Sequence, residues 1–281
     1  MKKSSEQVWF ITGANKGIGA AIAKEALNKG YKVVATARKT EGMEKTLGES
    51  PNLLITSLDI TNEGKVQSSV KAALERFGTI DVLVNNAGYA QLGYFEETSE
   101  GLVRQQMETN VFGTMKLTRT ILPTMRKQGS GTIIVFSSAM GITSLEGGSV
   151  YSASKFALEG WIEGLNMELK GFGIRCMLVE PGPFRTDFVN EQTSAKFSDI
   201  EIADYKKQRE MMRNFYFSGH QQQSGDPAKL ARGLMTVIND SNPPLRLLVG
   251  TGLAGFISQY LQNRCSEYEA WREVSDSTNF D

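Results

Sequence analysis

The stretch Val8-Trp9-Phe10-Ile11-Thr12-Gly13-Ala14-Asn15-Lys16-Gly17-Ile18-Gly19 decides the fold of this 281-residue chain. Its apolar start, with little polar alternation, predicts a strand covered on both faces. The three glycines that follow predict a tight turn into a helix. Gly13 allows the turn, Gly17 lets the backbone approach a phosphate group, and Gly19 lets the helix pack on the sheet. A phosphate there would meet exposed N–H groups and the positive end of the helix dipole.

Working outward, apolar runs recur at Lys32–Thr36, Leu53–Leu58, Ile80–Val84, Thr132–Phe136, Arg175–Val179 and Leu245–Val249. Helical periodicity fills the gaps over roughly 18–29, 63–77, 100–127, 151–170 and 227–239, as Ile18, Ile22 and Ala26 illustrate. Seven strands alternating with helices predict an α/β fold, a doubly wound parallel sheet in one domain over 1–281. From about 187 to 224 no strand signal is found, and a substrate lid is expected there. A mixed helical and polar extension follows from about 250 to 281.

Composition excludes several chemistries. Lys plus Arg and Asp plus Glu both total 31, so nothing points to nucleic acid or an anionic membrane surface. One histidine, His220, and two distant cysteines, Cys176 and Cys265, are too few for a Cys/His zinc site. No G-x-S-x-G elbow is present, so a serine hydrolase is not expected. His220 reads as a loop residue, Cys176 as core, and Lys206-Lys207 with Arg209 as a solvated helix face. The apolar run behind Met1-Lys2-Lys3 is too short for a signal peptide, and with two lone cysteines the expected location is the cytoplasm.

The spacing T-G-x-x-x-G-I-G resembles the short-chain dehydrogenase/reductase family, and further residues match that family in order from about residue 7 to 187. Asp59, before Ile60-Thr61, resembles its adenine-contacting aspartate, and Asn85-Asn86-Ala87-Gly88 resembles its turn after the fourth strand. Asn110, Ser138, Tyr151 and Lys155 match its catalytic tetrad, and Pro181-Gly182 with Thr186 matches its segment beside the nicotinamide. The resemblance implies a Rossmann fold and an oxidoreductase that moves hydride between a nicotinamide cofactor and a carbonyl or alcohol. It implies cofactor contacts at Gly13, Asn15, Lys16, Gly17, Ile18, Gly19, Asp59, Ile60, Asn86, Ala87 and Gly88. Tyr151, Lys155, Pro181, Gly182 and Thr186 complete that set. A homodimer or homotetramer, formed through the 100–127 and 151–170 helices, is implied as well.

The chemistry also follows from the residues. Tyr151 and Lys155 are four apart and share a helix face. A free phenol titrates near 10, and a neighbouring ammonium, like the positive charge of an oxidised nicotinamide, is expected to favour phenolate; three units correspond to roughly 4 kcal/mol. Tyr151 would then give a proton to a carbonyl oxygen, or take one from an alcohol. Ser138 stands at the carboxyl end of the fifth strand and could stabilise charge on that oxygen. Ser137 is its neighbour, but the thirteen-residue step from Ser138 to Tyr151 matches the family. Asn110 is a poor helix former inside a helical stretch, and a water relay to the lysine is its implied role.

The end of the second strand carries Ala37 where an NAD-binding carboxylate is expected, and Arg38 follows it. An arginine fork suits a 2′-phosphate, and Lys16 adds a cation, so NADP(H) is expected over NAD(H). Aromatic residues crowd the lid, and Met140, Leu145, Phe184 and Phe188 are expected to wall a bulky apolar substrate. They could also simply dock the lid on its own core or on a partner subunit. Two further readings stay open: an epimerase or dehydratase on the same fold, and a redox sensor that binds NADP(H) without turnover.

Overall fold

The computed structural model describes residues 7–190, 195–219 and 221–280; His220 lies outside them. The first half of the chain alternates β1 (Val8–Thr12), α1 (Gly17–Asn28), β2 (Lys32–Ala37), α2 (Met43–Leu47), β3 (Leu53–Ser57), α3 (Glu63–Phe77) and β4 (Val82–Asn85). A two-residue strand, β5 (Gln91–Leu92), precedes α4 (Glu100–Met107) and α5 (Thr114–Gln128). Then come β6 (Gly131–Phe136), α6 (Ser149–Leu169), β7 (Ile174–Pro181), β8 (Lys196–Phe197) and α7 (Lys206–Phe217). The chain ends with α8 (Pro227–Ile238), β9 (Arg246–Val249), α9 (Leu253–Ala270) and α10 (Arg272–Asp276).

Seven strands form one sheet in the order β3-β2-β1-β4-β6-β7-β9, and every pairing is parallel. The unbroken apolar runs are explained by burial on both faces. Trp9, Ile11, Val33 and Val84 point into a cluster with Ile22 and Ala23 of α1 and Leu234 of α8. Val8, Phe10, Val34 and Leu83 point the other way, toward Val66 of α3, Ile121 of α5 and Ile162 of α6. The chain crosses sides between β3 and β4, so the connections leaving the carboxyl ends of the paired strands β1 and β4 run to opposite faces. In such sheets the crevice between them is where ligands bind.

Three expectations are revised. The helix expected over 100–127 is interrupted by a π-helical turn at Glu108–Gly113. The stretch from 187 to 224 is not bare: β8 pairs with β5, and α7 follows it. Asp81, expected inside the fourth strand, precedes it and accepts a hydrogen bond from Val8 N at 2.9 Å. Among the described residues no helix is long and apolar enough to cross a membrane.

Candidate active site

The glycine turn is fastened to the turn after β4 by side chains at the crevice. Thr12, buried at the end of β1, accepts from the N–H groups of Asn86 and Ala87, both at 2.9 Å. Asn86 Nδ2 donates back to the carbonyls of Thr12 and Gly13 at 2.9 and 3.2 Å. Gly13 and Gly17 have φ of 65° and 57°, the left-handed region that favours glycine. Gly19 is helical, but a Cβ there would sit 2.3 Å from the Gly13 carbonyl oxygen. Across the crevice, a Cβ on Gly17 would come within 3.3 Å of Thr186 Cγ2, so the β7 segment reaches the same helix start. Lys16 gives α1 no side-chain cap and its first turn holds no acidic residue. Ile18 packs against the core, and Asn15 and Lys16 are exposed beside it. Such a start is suited to a phosphate.

At the end of β2, Ala37 is buried and Arg38 exposed. Asp59 Oδ1 accepts from the backbone and hydroxyl of Thr61 at 3.0 and 2.7 Å. Burial pushes the Asp59 carboxyl up, but the Thr61 bonds and the charges of Arg38 and Lys116 bring it below its ordinary value. Ile60 turns its side chain into the core, so only its backbone is left to face a ligand.

These residues fit the implied nicotinamide dinucleotide. Glycines keep the phosphate approach open, an uncapped helix start faces it, and no carboxylate occupies position 37.

Tyr151 and Lys155 lie in the buried first half of α6, 5% and 6% exposed. Lys155 Nζ donates to the Phe136 carbonyl at 2.7 Å and stands 5.7 Å from the centre of the Tyr151 ring. Ser138 caps the turn at Ala139–Gly141 by accepting from Met140 N at 3.1 Å, which leaves its own O–H to donate. It hydrogen-bonds the Tyr151 phenol. Burial pushes that phenol well above its ordinary value, and the Ser138 bond pulls the other way. In the chain alone, loss of water outweighs the Ser138 bond, and Lys155 is turned onto a backbone carbonyl. Burial pulls Lys155 itself down to about 8, and the Glu159 charge pulls it back up.

Asn110 occupies the π turn, a distortion common at functional sites. Its Nδ2 donates to Tyr89 O at 3.0 Å and Ser154 Oγ at 3.1 Å, while its Oδ1 accepts from Tyr89 N at 3.2 Å. Ser154 in turn donates to the Tyr151 carbonyl at 2.7 Å. Gly88 leaves room for this clamp, since a Cβ there would lie 3.1 Å from Asn110 Oδ1.

The apolar wall is assembled around Tyr151. Leu92, Ala90 and Ala195 pack with it, and Met140, Val189, Phe197 and Tyr216 border them. The Phe188 ring stands 5.9 Å from the Tyr151 ring. Leu145 is 41% exposed and is not part of this cluster. Phe184 is a correction: it packs into the opposite cluster, with α1 and α8, where the Gly225 turn lies against its ring. Pro181 ends β7 opposite Val249, and Gly182 donates to Val249 O at 2.9 Å. A Cβ on Gly182 would come 2.5 Å from Leu253 Cδ1, so α9 begins against this segment.

Arg209 is a second correction. It is not a solvated charge; it pairs with Glu97, which is fully buried and also accepts from Ile202 N at 2.9 Å. Sequence reading missed this pair, and also Thr12, Ser154 and Glu159 as supporting residues. Glu159 carries a usable signal, since it follows Lys155 by one helical turn. The Glu97–Arg209 pair is 112 residues apart and carries none.

Comparison with known proteins agrees with this geometry. The sequence profile described as short chain dehydrogenase matches residues 7–196. The chain is 33% identical to the oxidoreductase BOA17 of Botryotinia fuckeliana, over 96% of this chain and 98% of that one. It is 34% identical to human retinol dehydrogenase 8, over 84% of this chain and 79% of that one. A crystal structure of a short-chain dehydrogenase from Streptomyces avermitilis superposes with a TM-score of 0.89 at 40% identity, covering 98% of this chain and 99% of that one. With its seven-stranded parallel sheet and its glycine turn at the switch point, the chain belongs to the short-chain dehydrogenase family of oxidoreductases, whose fold binds nicotinamide cofactors.

Proposed function

We propose that the protein is an NADP(H)-dependent carbonyl reductase acting on a bulky, mostly apolar aldehyde or ketone. The observation that carries this reading is the buried Tyr151 phenol, bonded to Ser138 and faced by Phe188 within an apolar wall. When bound, the cofactor would supply the hydride. Gly13, Gly17, Gly19 and the start of α1 would hold its phosphates, and Thr186 and Lys155 would lie nearer the nicotinamide end. Arg38, with Ala37 in place of a carboxylate, would take a 2′-phosphate.

Tyr151 donates the proton to the carbonyl oxygen, and the Ser138 O–H stabilises the charge that develops there. At neutral pH the phenol carries its proton, which is the form that donates to a carbonyl oxygen. The aromatic wall excludes water from that oxygen. The relative named retinol dehydrogenase 8 supports an apolar substrate by analogy. Exposed Phe112, Phe156 and Met167, on or beside α5 and α6, suit a homodimer or homotetramer formed through those helices. The free cysteines Cys176 and Cys265 suit the cytoplasm.

A panel of carbonyls read by NADPH absorbance tests the reading, with NADH run in parallel. Aromatic or polycyclic carbonyls should give higher kcat/KM than small polar ones. Tyr151→Phe should keep NADPH binding and leave less than about a tenth of kcat, an effect above roughly 1.4 kcal/mol. Retained turnover in that variant would remove Tyr151 from the chemistry.

A further inference from the structure

Behind Lys155 lies a buried acidic cluster that the proposed chemistry does not use. Glu159 is one turn further along α6 and 7% exposed; Glu180, on β7, is 2% exposed. Arg246 of β9 reaches both, its Nε 3.1 Å from Glu159 Oε2 and 3.7 Å from Glu180 Oε1. Its Nη2 also reaches Glu163, the next turn of α6, at 2.5 Å. Gly141 is packed against the same spot, since a Cβ there would come 2.4 Å from Ser137 Oγ and 3.3 Å from Glu159 Oε1. Ser137 Oγ is buried without a hydrogen-bond partner, and the buried Glu159 and Glu180 carboxyls are bonded to one another. Burying carboxyls is costly even when they are paired, so two of them next to a catalytic helix face call for a use.

We infer that Glu159 is a positioning residue for Lys155, keeping its ammonium charged in a dry site, while Arg246 and Glu180 fix where the Glu159 charge lies. This deepens the proposed reductase reading and rests on it only for the kinetic consequence. The geometry supplies the means. Lys155 and Glu159 share a face of α6, and Nζ is already committed to the Phe136 carbonyl. A carboxylate one turn away supplies the negative charge that burial otherwise makes necessary.

The charged and titratable groups around the pair are accounted for element by element. α6 contributes Tyr151 and Glu163, β7 contributes Glu180, and β9 contributes Arg246; the turn at 139–141 offers no charge, only the neighbouring Ser137 hydroxyl. Burial first, and then the Glu159 charge, push the Glu180 carboxyl up, so it tends to hold its proton and leave the charge on Glu159. Burial alone pulls Lys155 down, and Glu159 opposes it. Glu159 therefore extends the range over which Lys155 stays protonated. Without it, Lys155 loses its proton at lower pH, and activity that needs the ammonium falls earlier on the alkaline side.

The test is a titration of the full chain labelled with 13Cε-lysine, read by NMR. One lysine should titrate near 8, apart from surface lysines near about 10.4, and should vanish in Lys155→Met. In Glu159→Gln that midpoint should fall by about one pH unit. Glu159→Asp, with the carboxylate set back by one methylene, should fall less, and Glu180→Gln least. If the Gln variant does not fold, wild type against Asp still decides. An unmoved midpoint in Glu159→Gln or, failing that, in Glu159→Asp overturns the inference; so does an equal fall in Glu180→Gln. The alkaline limb of kcat should move with the midpoint. A moved midpoint in a protein that reduces no carbonyl would sink the reductase reading and leave the positioning role standing. Tyr151-dependent reduction with an unmoved midpoint would do the reverse.

Discussion

The two sides of the crevice are held together by different means. On the cofactor side, strand ends and glycine turns are fastened through backbone groups: Thr12 and Asn86 make five hydrogen bonds between β1 and β4, every one to or from the main chain. On the substrate side, the cover over Tyr151 adds to the short β5–β8 pairing a set of side chains that meet one another across the sequence. Tyr94 stacks on Tyr205 at 4.8 Å, Phe197 meets Phe217 at 4.8 Å with Arg213 over it, and Arg209 enters to pair with Glu97. Backbone fastening demands particular residue types at fixed steps. Side-chain fastening accepts many residue types and can be rebuilt for a different substrate.

That difference implies opposite weak points, and the cover has the larger one. Arg209→Ala leaves the Glu97 carboxylate buried with Ile202 N as its remaining described hydrogen-bond partner. Removing one partner of a buried pair costs about 3–5 kcal/mol. The loss should be local. Limited proteolysis should cut within or beside α7 much faster, and KM for a bulky carbonyl should rise. NADPH affinity should stay close to wild type. An equal loss of cofactor binding would show that the two sides are one mechanical unit and would break the comparison.

The cofactor side should fail to the smallest added atom. In Gly19→Ala the new methyl would sit 2.3 Å from the Gly13 carbonyl oxygen and 2.5 Å from Asn86 Nδ2. The first of these is backbone and cannot swing away, so α1 must shift. Overpacking of this kind costs about 1–3 kcal/mol, and here it displaces the helix start that would hold the phosphates. Urea unfolding and NADPH titration should both register it. Gly233→Ala on α8 is the matched control, because nothing lies within 4 Å of its added Cβ. That variant should be neutral or more stable by up to about 1 kcal/mol. Equal behaviour of the two alanines would show that the glycine turn has slack.

The same contrast explains what could be read in advance. Parallel strands buried on both faces announce themselves as apolar runs, so the main-sheet strands were expected to within a few residues, as β1 and β6 show. Glycines forced by a close approach are equally visible, because no other residue serves at Gly13 or Gly19. The π turn at Asn110 was hidden, since its periodicity differs from an α-helix by one residue in a few turns. Phe184 and Phe188 look alike in sequence, four residues apart, yet one packs against α1 and α8 and the other faces Tyr151. A turn between them sends the chain to the other side, and apolar character alone does not encode that. Lys155 is half legible for a related reason: its spacing to Tyr151 can be read, but the Phe136 carbonyl that accepts its hydrogen bond cannot.

The smallest effect concerns Arg38, where the two sides are joined by charge. Arg38 is exposed at the end of β2, and its charge is felt both by Asp59, on the cofactor side, and by the Tyr89 phenol, which burial pushes up to about 12. If Arg38 pairs with a 2′-phosphate, Arg38→Ala removes a charge-assisted contact of about 1.5–3 kcal/mol, with the lower figure fitting an exposed site. NADPH affinity should fall about ten-fold while NADH affinity barely moves. Asp59 should also titrate slightly higher once the neighbouring cation is gone. Equal losses for both cofactors would mean that Arg38 holds the loop rather than the phosphate. A loss confined to NADPH, with kcat for the carbonyl unchanged, would place cofactor choice at one exposed side chain on an otherwise backbone-built crevice.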